Sequence, residues 1–383
     1  MKALLITSRF PWPPHTGDRL RATIWLSALA PNAEVVVVSP RGTVPAGTPP
    51  FRFYAAERSW PRGLRNLAAL MRDRLPLQCL LAAPFDWNGA IARARREAGP
   101  FDLTVVLLAR LHPWVKGSLD GRTVFDAIDS LRRNAEQRSK AAPLAIRWLW
   151  RAEERRMARV EREAAQTYGR VVVVSEEETS DLARAVAVPN GVATAPLVSA
   201  FDSAPRRFDV GFWGRLPYFA NADATTWILD EIWPAIRTML PAATLVIGGA
   251  QASRALRRNA AKQGGVTLCS PIDEIATFAR NIRVALMPLR YGTGQSNKVL
   301  EAAEAGCAIV GTPEALRGLG RLATHARIES SAEGLARAAV DLLADGDRRE
   351  ILTSHLRETI EMHYSRSATL DRLSAIAGLP GAA

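Results

Sequence analysis

From Tyr291 to Thr312 the chain reads YGTGQSNKVLEAAEAGCAIVGT. A glycine-rich segment, Gly292-Thr293-Gly294, runs into a helical pattern with Lys298 in its first turn and Glu301 three residues later. Glycines let a backbone approach a ligand closely, and a helix N-terminus offers unpaired N–H groups to an anion. Gln295, Ser296 and Asn297 can cap that helix. A lysine in a first turn opposes the helix dipole, so its position asks for a negative partner such as a phosphate. Glu301 falls on the same helix face, where a carboxylate can accept two hydrogen bonds from vicinal hydroxyls, as a ribose offers. The same spacing also fits a solvated Lys–Glu pair on an ordinary helix.

A second constellation is Gly211-Phe212-Trp213-Gly214-Arg215. A β pattern ends at Gly214, which lets the chain turn, and Arg215 then stands where it can grip a diphosphate bidentately or close a salt bridge. A third is PWPPHTGDRLR, residues 11–21. Gly17 there allows close approach of a phosphate or sugar, and Asp18 reads as an N-cap. His112 follows a β pattern and is the histidine best placed to be a candidate base. Asp126 and Asp129 sit at another strand end, where they could bind hydroxyls or cap the helix beginning near Ser130. No His, Cys or Asp cluster has metal-ligand spacing, so no metal site is expected. No G-x-S-x-G element is present.

These residues must be held by elements. Lys2–Thr7, a Pro/Gly-rich loop, a helix Arg19–Ala30 and the run Glu34–Ser39 form one βαβ unit. Continuous valine runs indicate a sheet covered on both faces, as in parallel sheets. Further strands are expected at 103–108, 123–125 and 170–175, with a long basic helix over 143–166. Pro189-Asn190-Gly191 reads as a turn, and the low-complexity stretch Ala193 to Pro205 as a linker. The βαβ rhythm then restarts at Phe208. One helix is expected over 222–240, and nothing but helix after Glu329. The expected fold is α/β, two doubly wound Rossmann-like domains facing across a cleft. The first spans 1–195 and the second 196–383, with the terminal helix packing back on the first.

The bulk properties agree with two domains. The chain has 383 residues, 48% hydrophobic and 23% charged, which is globular composition. No uncharged apolar stretch reaches the roughly 20 residues a spanning helix needs. The apolar run at the N-terminus breaks at Thr7-Ser8-Arg9, too early for a signal peptide, so a cytoplasmic protein is expected. Three cysteines, Cys79, Cys269 and Cys307, lie far apart, as reduced thiols do. The net charge of +12 fits either an arginine-rich codon bias or anionic partners, namely nucleotide diphosphates or an acidic membrane surface. Aromatic and basic residues do not interleave on one surface, so no nucleic-acid partner is expected.

Assembled, these residues resemble the GT-B glycosyltransferases of the family 4 type, nearest the bacterial exopolysaccharide sugar transferases. The family's pattern G-x-G-x-x-x-K-x-x-E-A-x-x-x-G is met by Gly292, Gly294, Lys298, Glu301, Ala302 and Gly306, followed by Val310 and Thr312. Gly214 and Arg215 match its G-R strand end, and Asn221 and Asp223 its N-x-D element. Gly17, Asp18 and Arg21 match its first loop, and Pro189-Asn190-Gly191-Val192 the turn before its second domain. The resemblance implies a hexosyl-type transfer from a nucleotide diphosphate sugar, with no separate cofactor, to a saccharide or lipid-linked acceptor. It implies retention of anomeric configuration, usually without metal. Arg215 and Lys298 would neutralise the diphosphate, Glu301 would hold the ribose, and His112 is the nearest match to the family's catalytic histidine. Backbone at Gly17, Gly214, Gly292, Thr293 and Gly294 would approach the donor.

Two departures stand out. Many relatives carry a glutamate eight residues before the one at Glu301, where this chain has Thr293. Many also carry a lysine shortly after the G-R arginine, and Leu216 to Ala222 contains none. A non-catalytic sugar-nucleotide binder and a GT-B sugar-nucleotide epimerase are the competing readings. The basic helix, with Trp148 and Trp150, is a candidate membrane- or acceptor-facing element at the inner face of the membrane.

Overall fold

A computed structural model describes residues 1–14, 16–59, 74–192, 206–292 and 294–379. The chain divides into two compact units, Met1–Asn190 with Ser367–Ala383, and Gly191–Arg366. The expected linker, Ala193 to Pro205, and the site candidate Thr293 lie outside the described residues.

The first unit is built on seven parallel strands: β1 (Lys2–Ile6), β2 (Glu34–Ser39), β3 (Arg52–Ala55), β4 (Leu103–Leu107), β5 (Arg122–Ile128), β6 (Arg170–Val173) and β7 (Ala185–Ala187). Their spatial order is β3-β2-β1-β4-β5-β6-β7. In β1, Leu4 lies between Val36 and Thr104, and Leu5 between Val37 and Val105. Four consecutive residues of β1 and five of β2 are buried. Alternation is absent because helices cover both faces. The helix Gly17–Leu29 covers one with Ile24, Trp25 and Leu29. The last helix, Arg366–Ala377, joins the same core through Leu373 and Ala377.

The second unit repeats this arrangement with β8 (Phe208–Trp213), β9 (Leu245–Gly248), β10 (Val266–Cys269), β11 (Ile282–Met287), β12 (Ala308–Gly311) and β13 (Arg327–Ile328). Their order is β10-β9-β8-β11-β12-β13, again all parallel. In both sheets the direction of winding reverses next to the first strand, between β1 and β4 and between β8 and β11. A crevice opens outside the strand ends at such a reversal.

Sequence reading finds the central strands and passes over β3, β7 and β13. All three are sheet edges. β7 has no buried residue and β3 none, so neither carries the unbroken valine run that marks a buried strand. The single helix expected over 222–240 is two, Phe219–Trp227 and Trp233–Met239, joined by a wider π turn over Ile228–Ile232. Pro234 causes the break, because it cannot donate to the carbonyl one turn earlier.

Candidate functional site

The reversal between β8 and β11 gathers most of the expected donor-site residues. β8 ends at Trp213, and Gly214 follows with φ +149. A Cβ at Gly214 would lie 2.9 Å from Asn221 Nδ2 and 3.2 Å from Lys298 Cε. A glycine is thus required both by conformation and by crowding. β11 ends at Met287 and feeds the loop carrying Gly292 and Gly294. Gly294 has φ +64, which turns the chain into the helix Asn297–Glu304. That helix buries Val299, Leu300, Ala302 and Ala303 against the sheet. Lys298 and Glu301 are left on the flank nearest the end of β8.

Their contacts show where they reach. Trp213 Nε1 donates to Glu301 Oε2 at 2.8 Å. Lys298 Nζ lies 5.8 Å from the centroid of the Phe212 ring, an arrangement a cation favours. Both charged side chains are half-buried. Burial pushes the Lys298 ammonium down to about 8, against the opposing pull of Glu301. Burial pushes the Glu301 carboxyl up to about 6, opposed by the Trp213 hydrogen bond and by Lys298. Each therefore sits near the edge of its charged form. An incoming anion would restore the ammonium, and hydroxyl donors would restore the carboxylate.

Two further polar groups border this pair. Ser296, at the N-cap, makes no side-chain cap hydrogen bond, and its buried Oγ has no partner. Asn221 Nδ2 donates to the Arg215 carbonyl at 2.8 Å, while its buried Oδ1 has no partner. Asn221 thus fixes the backbone of the strand end, and its spare acceptor remains in the site. Arg215 is exposed and pairs with no acid among the described residues. Gly292 has open space around it, the nearest atom to an added Cβ being the Glu314 carbonyl at 3.8 Å.

Asp223, the other half of the N-x-D element, is occupied. It accepts Arg290 Nε at 2.9 Å and Arg290 Nη2 at 2.6 Å, and the Arg290 guanidinium also lies 4.9 Å from the Trp227 ring centroid. This bidentate pair ties the loop after β11 to the helix Phe219–Trp227. Neither Arg290 nor Trp213 was singled out as a partner by sequence reasoning. The signal for Trp213 was its place as the last residue of β8, directly before Gly214.

The candidates of the first unit behave differently. Gly17 opens the helix Gly17–Leu29 with nothing within 4 Å of an added Cβ, so its own surroundings do not require glycine. Thr16, rather than Asp18, is the N-cap residue, and Asp18 pairs with Arg9 at 3.5 Å. His112 is 0% exposed. Its ring lies 5.7 Å from the Tyr168 ring, and Nε2 lies 3.6 Å from Glu163. Burial holds its pKa below the usual histidine range. In this packing neither ring nitrogen is accessible, and neither has a hydrogen-bond partner among the described residues. Asp126 is also 0% exposed. It accepts Arg21 Nε at 2.7 Å, Trp25 Nε1 at 2.6 Å and the Ile128 backbone N–H at 2.9 Å. Arg21 in turn donates to Asn190 Oδ1 at 3.2 Å. The match at Arg21 and Asn190 is thereby explained by packing: these residues lock the end of the first unit's chain onto β5.

A doubly wound parallel sheet in each unit, with a glycine loop and a lysine–glutamate helix face at the reversal of the second, is the architecture of the GT-B fold. Residues 207–345 match the family model described as glycosyl transferases group 1, so the second unit carries a group 1 glycosyltransferase domain.

Solved structures share the architecture. A sucrose-phosphate synthase from Thermosynechococcus elongatus aligns with TM-score 0.75 at 14% identity, covering 98% of each chain. WaaG, described as a glycosyltransferase involved in lipopolysaccharide biosynthesis, aligns with TM-score 0.66 at 14% identity over 97% of this chain and 99% of its own. Anabaena Alr3699/HepE, solved in complex with UDP-glucose, aligns with TM-score 0.68 at 12% identity over 99% and 100%. No curated protein matches the sequence.

Proposed function

We propose that this chain transfers a hexose from a nucleotide diphosphate donor to a saccharide or lipid-linked acceptor, in polysaccharide biosynthesis of the family 4 type, and that it works in the cytoplasm. The second unit binds the donor and the first handles the acceptor. The observation that carries the reading is the Lys298–Glu301 face, set beside β8 by the Trp213 hydrogen bond.

In this reading Glu301 accepts the ribose hydroxyls while Trp213 fixes its other oxygen. Lys298 and the unpaired Arg215 face the diphosphate, with the backbone at Gly214, Gly292 and Gly294 close against it. Thr293 holds the place of the family's sugar-side glutamate. The bond between the anomeric carbon and the β-phosphate oxygen breaks, and the acceptor oxygen bonds to that carbon. The departing diphosphate takes up the acceptor's proton. Negative charge develops on the leaving group, where two cationic side chains stabilise it. This supports transfer without a metal ion. The family resemblance supports retention at the anomeric carbon.

A thermal-shift and product screen with UDP-, GDP- and dTDP-sugars tests the proposal. Stabilisation by at least one donor, with an anomerically retained product and turnover that persists in EDTA, is expected. No stabilisation by any donor would overturn it. Stabilisation without product would leave a sugar-nucleotide binder instead.

A further inference from the structure

We propose that the outer face of the helix Leu144–Thr167 in the first unit is a docking surface for an anionic lipid bilayer. The surface stands independently of the donor site.

The helix has 24 residues and two different halves. Its opening turns are apolar yet exposed: Leu144 is 80% exposed, Ile146 47% and Trp148 67%. Leaving such side chains in water forgoes burial that the rest of the unit achieves. One to three turns further on, in the steps of three and four that follow one helix face, stand Ala152, Arg155, Arg156 and Arg159. With Arg74 they line a cavity of about 360 Å³. Arg151 is exposed beside it.

The acids of the same helix do not neutralise this face. Glu153 is buried and accepts the Leu77 and Gln78 backbone N–H groups at 2.6 and 2.9 Å. Glu161 is buried and accepts Ser130 Oγ at 2.9 Å. Glu154 lies 4.0 Å from Arg132, and Glu163 pairs with Lys116. Arg151, Arg155 and Arg156 have no acidic partner among the described residues. Guanidinium groups gathered around one cavity repel each other unless an anion joins them.

Phosphate headgroups supply that anion, and the acyl boundary next to them accepts Leu144 and the amphipathic ring of Trp148. A nucleic acid would satisfy the arginines but leave Leu144 in water, so the bilayer is the better fit. The contact is peripheral: no helix among the described residues is long and apolar enough to cross a membrane.

Vesicle flotation of the full chain tests this. Vesicles of phosphatidylcholine alone are compared with vesicles containing one-third phosphatidylglycerol. Preferential recovery with the anionic vesicles is expected. Each basic side chain near such a surface changes partitioning by roughly five-fold, so the triple variant Arg151→Glu, Arg155→Glu, Arg156→Glu should lose on the order of 100-fold or more. A second variant, Leu144→Ser with Trp148→Ser, should also lose recovery while keeping all its arginines. Both should keep the wild-type melting temperature and any donor-induced stabilisation, since these side chains are exposed, or half-buried in the case of Arg156, and lie outside the donor unit. Equal recovery of wild type and the arginine variant would overturn the proposal. So would retained binding by the apolar variant, or capture of a single-stranded RNA oligonucleotide with indifference to vesicles.

Discussion

Two charged pairs stand beside the carboxyl ends of the two sheets, and they have opposite characters. Arg21 and Asp126 in the first unit are both 0% exposed, 2.7 Å apart, and enclosed by Trp25 and Asn190. Lys298 and Glu301 in the second are half-buried, and among the described residues only Glu301 has a hydrogen-bonding side-chain partner, Trp213. The first pair is closed within the protein. The second is desolvated without being neutralised, which costs stability unless a ligand completes it. An Arg–Asp pair 105 residues apart in sequence is thus a structural lock in one unit, and a Lys–Glu pair on one helix is a recognition face in the other.

Breaking the lock should give the largest effect. Asp126→Ala leaves Arg21 charged and buried, and removing one partner of a buried pair costs about 3–5 kcal/mol. Urea unfolding should show that loss, with a corresponding drop in soluble yield. A change under 1 kcal/mol would mean that Arg21 finds water or another partner.

Lys298→Ala should behave in the reverse sense. Stability should hold or rise slightly, because a disfavoured buried charge is removed. Turnover should fall on the order of 10²–10³-fold, the usual cost of losing one group that stabilises developing charge. Loss of fold and function together would erase the contrast between the pairs.

Glu301→Gln should weaken donor binding by roughly 10-fold or more, in line with about 1.5–3 kcal/mol for hydrogen bonds to a charged group. Trp213→Phe should weaken it in the same direction by less. It frees Glu301 to rotate but leaves the carboxylate present. An unchanged donor affinity in both variants would remove Glu301 from the site.

The smallest effect is pH dependence. Lys298 is protonated below about 8 and Glu301 ionised above about 6. Donor affinity should therefore be highest between these values. It should fall above them as the ammonium is lost, and below them as the carboxylate protonates. Lys298→Ala should flatten the alkaline limb alone. Calorimetric titrations across that range would read it.

Much of this contrast was legible in the sequence. The central strands announce themselves through β-branched runs, and the loop from Gly292 to Glu301 through its glycines and its first-turn lysine. Edge strands β3, β7 and β13 escaped because half-exposed segments lack that run. Which charges close on each other was less legible. In sequence Asp126 reads as a hydroxyl binder or a helix cap, and His112 as a candidate base. Their fate depends on Arg21 and Trp25, and on Glu163 and Tyr168, which only the folded chain brings to them. Trp213 was missed as a partner for Glu301 for the same reason.

The central claim is that the Lys298–Glu301 face is a nucleotide diphosphate site. Calorimetric titration of UDP, GDP and dTDP into the wild type and Lys298→Ala near pH 7 tests it most directly. At least one nucleotide should bind the wild type and lose roughly 10-fold or more in affinity in the variant, consistent with a charged hydrogen bond. Binding of equal strength to both proteins, or no binding to either, would contradict the account.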